Sequence, residues 1–169
     1  MTNSEQTIIN ILGNSILAKS FKGIKSNSKI YVLASGVSNS QETDKDIFKK
    51  EFKLIKNTIL INKDYHHAYF STCSFNCNLS TSYVIHKKDM EEMISKYTLK
   101  YFIFRIPQIV GVVNNKTIVS DFVRRIINKE PINIQKRSTI NIINVDSISK
   151  IFMSILESQQ SLNKVINIS

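Results

Sequence analysis

Short extended runs alternating with amphipathic helical segments predict an α/β chain built on a mostly parallel sheet of about five strands, in one domain over 1–169. Three observations carry this. The runs "TIINIL", "KIYVLAS", "HHAYFSTCS", "YFIFRIPQIVG" and "KVINIS" are rich in β-branched and aromatic residues. The stretches between them repeat apolar residues every three or four positions, as a helix with one buried stripe does. Finally, the runs end in small and polar residues, where ligands sit in a parallel sheet: Gly13-Asn14-Ser15, Ala34-Ser35-Gly36, Ser71-Thr72-Cys73-Ser74 and Pro107-Gln108.

The elements follow in order. "TIINIL" ends at Gly13, and "NSILAKSFK" turns into a helix. "KIYVLAS" ends in the small-residue loop "SGVSNS". From Asp44, a helix carries Phe48, Phe52, Ile55 and Ile59 on one stripe. "HHAYFSTCS" is a strand, and after a polar loop to Ser80 the stretch "STSYVIHKKDMEEMI" opens another helix. "YFIFRIPQIVG" supplies a fourth strand. In the tail, Val119, Phe122, Val123 and Ile126 share one helical face, "INIINV" is extended, and "DSISKIFMSIL" is a helix burying Ile148, Ile151, Phe152 and Ile155. "KVINIS" closes the chain as a strand.

With 42% apolar and 21% charged residues over 169, the composition is that of a folded domain. The net charge of +10 could favour nucleic acid or phosphorylated ligands. The densest cluster, Lys49, Lys50, Lys53 and Lys56, lies on a helix with its own apolar stripe and no aromatic platform, so a solvated face is expected and nucleic acid is not. No run approaches the ~20 apolar residues of a membrane span, and "MTNSEQ" lacks the features of a signal peptide, so a cytoplasmic protein without membrane contact is expected. Cys73 and Cys77 are then expected as reduced thiols. Their spacing, with no second Cys/His pair, does not suggest a metal site with His66, His67 or His86.

The chemistry centres on Tyr83 and Lys87, which lie one helical turn apart and share a face. A nearby ammonium would lower the tyrosine pKa from its usual ~10 toward working pH, as a general acid/base needs. A strand-end hydroxyl, Thr72 or Ser71, could hold the substrate oxygen. Spacing alone favours a Tyr83 that continues the apolar row of Met90 and Ile94 while Lys87 reaches for solvent, because Tyr-x-x-x-Lys is common by chance.

Taken together, the Gly13 turn, the "FSTCS" strand end and "SYVIHK" opening the next helix resemble the extended short-chain dehydrogenase/reductases, the NAD(P)-dependent sugar-nucleotide epimerases and dehydratases. "FRIPQIVG" looks like their Arg-x-x-Asn-x-x-Gly strand, and "INVDSIS" like their Ile-His-Val-Asp-Asp-Val-Ala segment. "ASGVSNS" and "STCS" look like a short subgroup of bacterial polysaccharide-biosynthesis proteins. The resemblance implies a truncated, doubly wound Rossmann-like sheet and NAD or NADP as cofactor. It makes Tyr83 the acid/base, Lys87 the holder of the nicotinamide ribose, and Thr72 the group that orients the substrate hydroxyl. Gly13, Asn14, Ser15, Ile16, Leu17, Ala34, Ser35, Gly36, Ser71, Lys87 and Pro107 would line the cofactor, and Ser38, Cys73, Ser74 and Gln108 the nucleotide-sugar substrate. A homodimer through the Tyr83 and Asp44 helices is a further implication.

The sequence departs from that pattern in three places. Ser15 stands where the dinucleotide turn favours glycine, and Gln108 where the family has Asn. Between the first turn and "KIYVLAS", positions 19–29 leave no room for the family's next two strands or their ribose-binding acid. The first strand is therefore expected at one edge of the sheet, and cofactor binding is expected to be weak. A reduced or absent substrate lobe after "KVINIS" is also expected. A catalytically reduced nucleotide- or sugar-binding module of the same fold is the alternative to an enzyme.

Overall fold

The computed structural model describes residues 6–77, 80–111, 118–134, 136–137, 139–158 and 162–168. The first apolar run divides into β1 (Thr7–Ile8) and β2 (Asn10–Leu12), followed by a short helix α1 (Ile16–Ser20). Next come β3 (Lys25–Ser26), β4 (Ile30–Leu33), α2 (Lys45–Ile61) and β5 (His66–Thr72). A 3₁₀ turn over Cys73–Cys77 leads to α3 (Ser82–Tyr97) and β6 (Tyr101–Ile106). The rest is β7 (Gln108–Val110), α4 (Ile118–Ile127), β8 (Ile142–Asn144), α5 (Val145–Glu157) and β9 (Lys164–Asn167).

Five strands form the central sheet in the order β2-β4-β5-β6-β9, every pair parallel. Its register aligns Leu12, Leu33, Tyr69, Ile103 and Val165 in one row across the strands. Leu33, Tyr69 and Ile103 from that row meet Ile55 and Ile59 of α2 and Met90, Met93 and Ile94 of α3. Alternate residues, among them Val32, Ala68, Phe70, Phe102 and Phe104, face the other way onto Leu17 and Ala18 of α1 and Ile148 and Phe152 of α5. Burial on both faces is why the strands read as near-continuous apolar runs. Ser15, Asp44, Thr81 and Asn144 cap the four helices that pack on the sheet, each side chain accepting a first-turn N–H.

As expected, β2 is the edge of the central sheet. The first strand is nevertheless not one element. β1 leaves the sheet to pair antiparallel with β3, and Ile9 N–H donates to the Ile24 carbonyl at 3.1 Å. Phe21, fully buried after α1, packs on Phe70 and Phe152, with ring centroids 5.5 and 5.3 Å away.

The sequence reading needs two further corrections. "YFIFRIPQIVG" is two strands, because Pro107 has no N–H to continue the ladder, and β7 pairs with β8 instead. The helix with Val119, Phe122, Val123 and Ile126 forms, but none of its residues is fully buried and Val123 and Ile126 are exposed. The lysine cluster on α2 points outward, Lys56 resting over the Tyr97 ring at 4.3 Å.

His67 on β5 is fully buried beside Tyr31, and neither ring nitrogen has a hydrogen-bond partner among the described residues. Burial, then the neighbouring His66, lowers its pKa to about 4. The unfolded chain, with an ordinary histidine near 6.5, takes up this proton first, so the neutral ring's contribution is full above about 6.5 and is lost as pH falls toward 4. That contribution is about 3 kcal/mol. Urea unfolding from pH 7.5 to 5 should show the wild type losing stability faster than His67→Phe; parallel curves would contradict this.

Candidate active site

The expected site residues gather along the carboxyl edge of β2, β4 and β5. Gly13 adopts φ +123°, and a Cβ there would lie 2.6 Å from the Ala34 carbonyl oxygen, so only glycine lets the turn sit this close to the end of β4. Ser15 caps α1 by accepting from Ala18 N at 3.2 Å and donates to Ala34 O at 3.2 Å. Its side chain thus closes the turn. Leu17 is buried in the core and Ile16 packs against it, so only their backbone N–H groups could serve a ligand. Asn14 is exposed at the turn.

Tyr83 enters on the first turn of α3, set by the Thr81 cap, and its hydroxyl lies beside Thr72 at the end of β5. Thr72 also bonds Ser74, whose hydroxyl lies at 2.9 Å and whose N–H donates back at 3.1 Å. The acid/base candidate and the substrate-orienting candidate are therefore neighbours. Ser71 points to the opposite face of β5, and its hydroxyl is buried with no partner among the described residues. Cys73 turns away, donating to the carbonyls of Arg105 at 3.2 Å and Ile168 at 3.5 Å. The side chain of Cys77 lies outside the described residues. Pro107 and Gln108 lie at the start of β7, and the Gln108 amide donates to the Ile109 carbonyl at 3.3 Å.

Lys87 departs most from expectation. It neither reaches for solvent nor bonds Tyr83: its ammonium lies 5.7 Å from the centre of the Tyr83 ring and is 3% exposed. It donates to Glu51 Oε1 at 3.0 Å and to the Tyr69 hydroxyl at 2.9 Å, and Tyr69 donates to the same Glu51 oxygen at 2.9 Å. The second oxygen of Glu51 takes His86 Nε2 at 2.9 Å and the Val37 N–H at 2.8 Å. Gly36 covers this cluster; a Cβ there would lie 2.7 Å from Glu51 Oε1 and 3.3 Å from Lys87 Nζ. Ser38, exposed beyond it, lines with Ser35, Asn39 and Lys50 an open depression of about 400 Å³ whose floor is Glu51.

The electrostatics follow from this geometry. Burial works to raise the Glu51 carboxyl, but the His86 hydrogen bond, the Lys87 charge and Val37 N–H together bring it down to about 2. Burial lowers Lys87, and Glu51 opposes that. Tyr83 is pushed up to about 12, first by burial and then by the Glu51 charge, with the Thr72 hydrogen bond acting the other way. The expected lowering by Lys87 is not found, because Glu51 already compensates the ammonium.

Glu51, Tyr69 and His86 were not among the candidates drawn from sequence. A signal was present for Glu51: it stands three residues after Phe48 and four before Ile55, on the apolar register of α2. Glu91, four residues beyond Lys87, is likewise buried and holds Arg105 in a two-pronged ion pair, while the guanidinium stacks 4.5 Å from the Phe75 ring centre.

No protein-family model matches the sequence, and no curated protein matches it. Solved structures do. A dTDP-4-dehydrorhamnose reductase from Clostridium acetobutylicum is similar at TM-score 0.74 and 11% identity, over 95% of this chain and 73% of that one. The chain carries a Rossmann-type fold. A UDP-glucose 4-epimerase from Thermotoga maritima, solved with UDP-glucose, matches this Rossmann-type chain at TM-score 0.65 and 16% identity, over 82% of it and 54% of the epimerase. The Bordetella bronchiseptica enzyme WbmH, in complex with NAD+, matches at 0.63 and 14%, over 76% and 49%. The Rossmann-type chain thus spans about half the length of two of these three proteins. Among the described residues, no helix is long and apolar enough to cross a membrane.

Proposed function

We propose that the chain is the Rossmann-like domain, over 1–169, of an NAD(P)-dependent oxidoreductase that acts on a nucleotide-activated sugar, in bacterial surface-polysaccharide biosynthesis. The observation that carries this reading is the placement of Tyr83, at the head of α3, beside Thr72 at the carboxyl end of β5, with Lys87 one turn behind. Solved proteins of this fold that bind NAD+ or UDP-glucose support it.

The cofactor fits one half of the edge. The close approach of Gly13 to Ala34 leaves backbone where a pyrophosphate would pass, so Gly13, Asn14 and Ser15 would hold it and Lys87 the nicotinamide ribose. The other half is poor, because the central sheet stops at β2. When bound, the dinucleotide supplies or accepts a hydride. The residues of the chain do the rest. Thr72 orients the sugar oxygen, and Tyr83, a neutral phenol with its pKa near 12, is a proton donor at neutral pH. This favours reduction of a sugar carbonyl over abstraction of a hydroxyl proton.

A second reading is a binding module with reduced catalysis, favoured by the Ser15 side chain that closes the turn and by the compensated Lys87. Calorimetric titration with NADH and NADPH separates the two. Without a ribose-binding acid, affinity should lie toward millimolar, with slight discrimination between the cofactors, since each lost buried hydrogen bond is worth ~1–3 kcal/mol. Submicromolar binding with a preference above about a hundredfold would mean that the missing half is rebuilt by another segment or chain. No heat with either cofactor, together with binding of a nucleotide sugar, would favour the module.

A further inference from the structure

The Glu51–Lys87–Tyr69 cluster has no counterpart in the reading above, which needs only Tyr83, Lys87 and Thr72. It is costly to assemble. A carboxylate, an ammonium, a phenol and an imidazole are each less than a tenth exposed, whereas the other ion pairs among the described residues, Glu91–Arg105 apart, are exposed. Three bonds of 2.9 to 3.0 Å close the Glu51–Lys87–Tyr69 triangle. The backbone of Gly36 and Val37 seals it, and Gly36 has no space for a side chain. The contacts cross three elements, α2, α3 and β5, and converge on the one lysine that lies a turn from Tyr83.

We propose that Glu51 is a positioning residue for the Tyr83–Lys87 pair: by closing this triangle beneath Gly36, it keeps Lys87 a fixed ammonium inside the protein. The proposal rests on the oxidoreductase reading for its purpose, but not for its test. A lysine buried in apolar surroundings tends to lose its proton, and a carboxylate in direct contact reverses that tendency. The other groups facing the triangle do not replace Glu51. His86, from the same helix as Lys87, has no acidic group to offer; Tyr83 holds its proton, pushed up by burial; Glu91 is spent on Arg105 of β6; Tyr69 of β5 holds its proton, burial and Glu51 both raising it. Glu51 is therefore the group that decides whether Lys87 remains charged. Glu51 bonds Lys87 directly and reaches Tyr83 only through its charge, so it acts on the pair and not on the substrate.

The test is a pH titration of the Lys87 side chain by ¹³C NMR of the methylene beside its nitrogen, in ligand-free wild type, Glu51→Gln and Tyr69→Phe. In Glu51→Gln the Lys87 midpoint should fall by about two pH units relative to wild type, while Tyr69→Phe, which keeps the counterion, should stay close to it. A similar alkaline loss of sugar-carbonyl reduction and of NADH affinity should accompany the fall. If Glu51→Gln does not fold, Glu51→Asp withdraws the charge by one methylene and should move the midpoint in the same direction by less. An unchanged or raised midpoint in the folded variant overturns the proposal, whatever the activity. A fall in the midpoint without any dinucleotide binding would uphold the Glu51 role while sinking the oxidoreductase reading.

Discussion

Tyr83→Phe should reduce carbonyl-reduction turnover by roughly 10²- to 10⁴-fold, the usual worth of a positioned proton donor, with cofactor affinity almost unchanged. The substitution removes one hydroxyl beside Thr72 and keeps the ring in its place at the head of α3. Stability should fall by only about 1 kcal/mol. Steady-state kinetics with a 4-keto nucleotide sugar, read beside a urea melt, separates the two effects. A variant that unfolds while keeping its activity per folded molecule would make Tyr83 a core residue, the continuation of the Met90 and Ile94 row.

Lys87→Met should have the largest effect on stability, a loss of about 3–5 kcal/mol. Methionine fills the same volume, so the loss comes from charge. Glu51 would keep its buried position under Gly36, with its carboxylate facing His86 and Tyr69 and no cation to balance it. Adding Glu51→Leu should restore most of the stability, because two apolar residues replace two charges together. Turnover should not return, since Tyr83 would still lack its neighbour. Guanidinium melts of the single and double variants decide this: additive losses would mean that the two side chains are not coupled in the fold.

These two residues mark how far the sequence could be read. The parallel sheet was legible because each strand is apolar on both faces and each helix shows one stripe, so local pattern and burial agree. The Tyr83–Thr72 contact was legible because both residues stand at element boundaries, a strand end and a helix start, where β-α topology brings them to one edge. The partner of Lys87 was not. Glu51 lies 36 residues away on a different helix, and among Lys49, Lys50 and Lys53 it looks like one more solvated charge. What distinguishes it is register: it falls on the buried face with Ile55 and Ile59, where a charge persists only with a partner. The split of the first run into β1 and β2 was hidden for another reason. It depends on β3, a two-residue strand whose Lys and Ser carry no strand signal of their own.

The short link between β2 and β4 also bears on how the chain finds its structure. Parallel strands require a crossover, and the chain between their ends must lose its freedom before their contacts form. Of the four ladders in the central sheet, β2–β4 joins the residues nearest in sequence, whereas β6–β9 joins the most distant. Phe21 lies within that link and seats itself on Phe70 and Phe152, so the same short segment that closes the first ladder also offers the first landing place for β5 and α5. Pairing of β2 with β4 should thus precede the closing of β9 in the folding transition state, with Val32→Ala slowing refolding and Ile166→Val chiefly hastening unfolding.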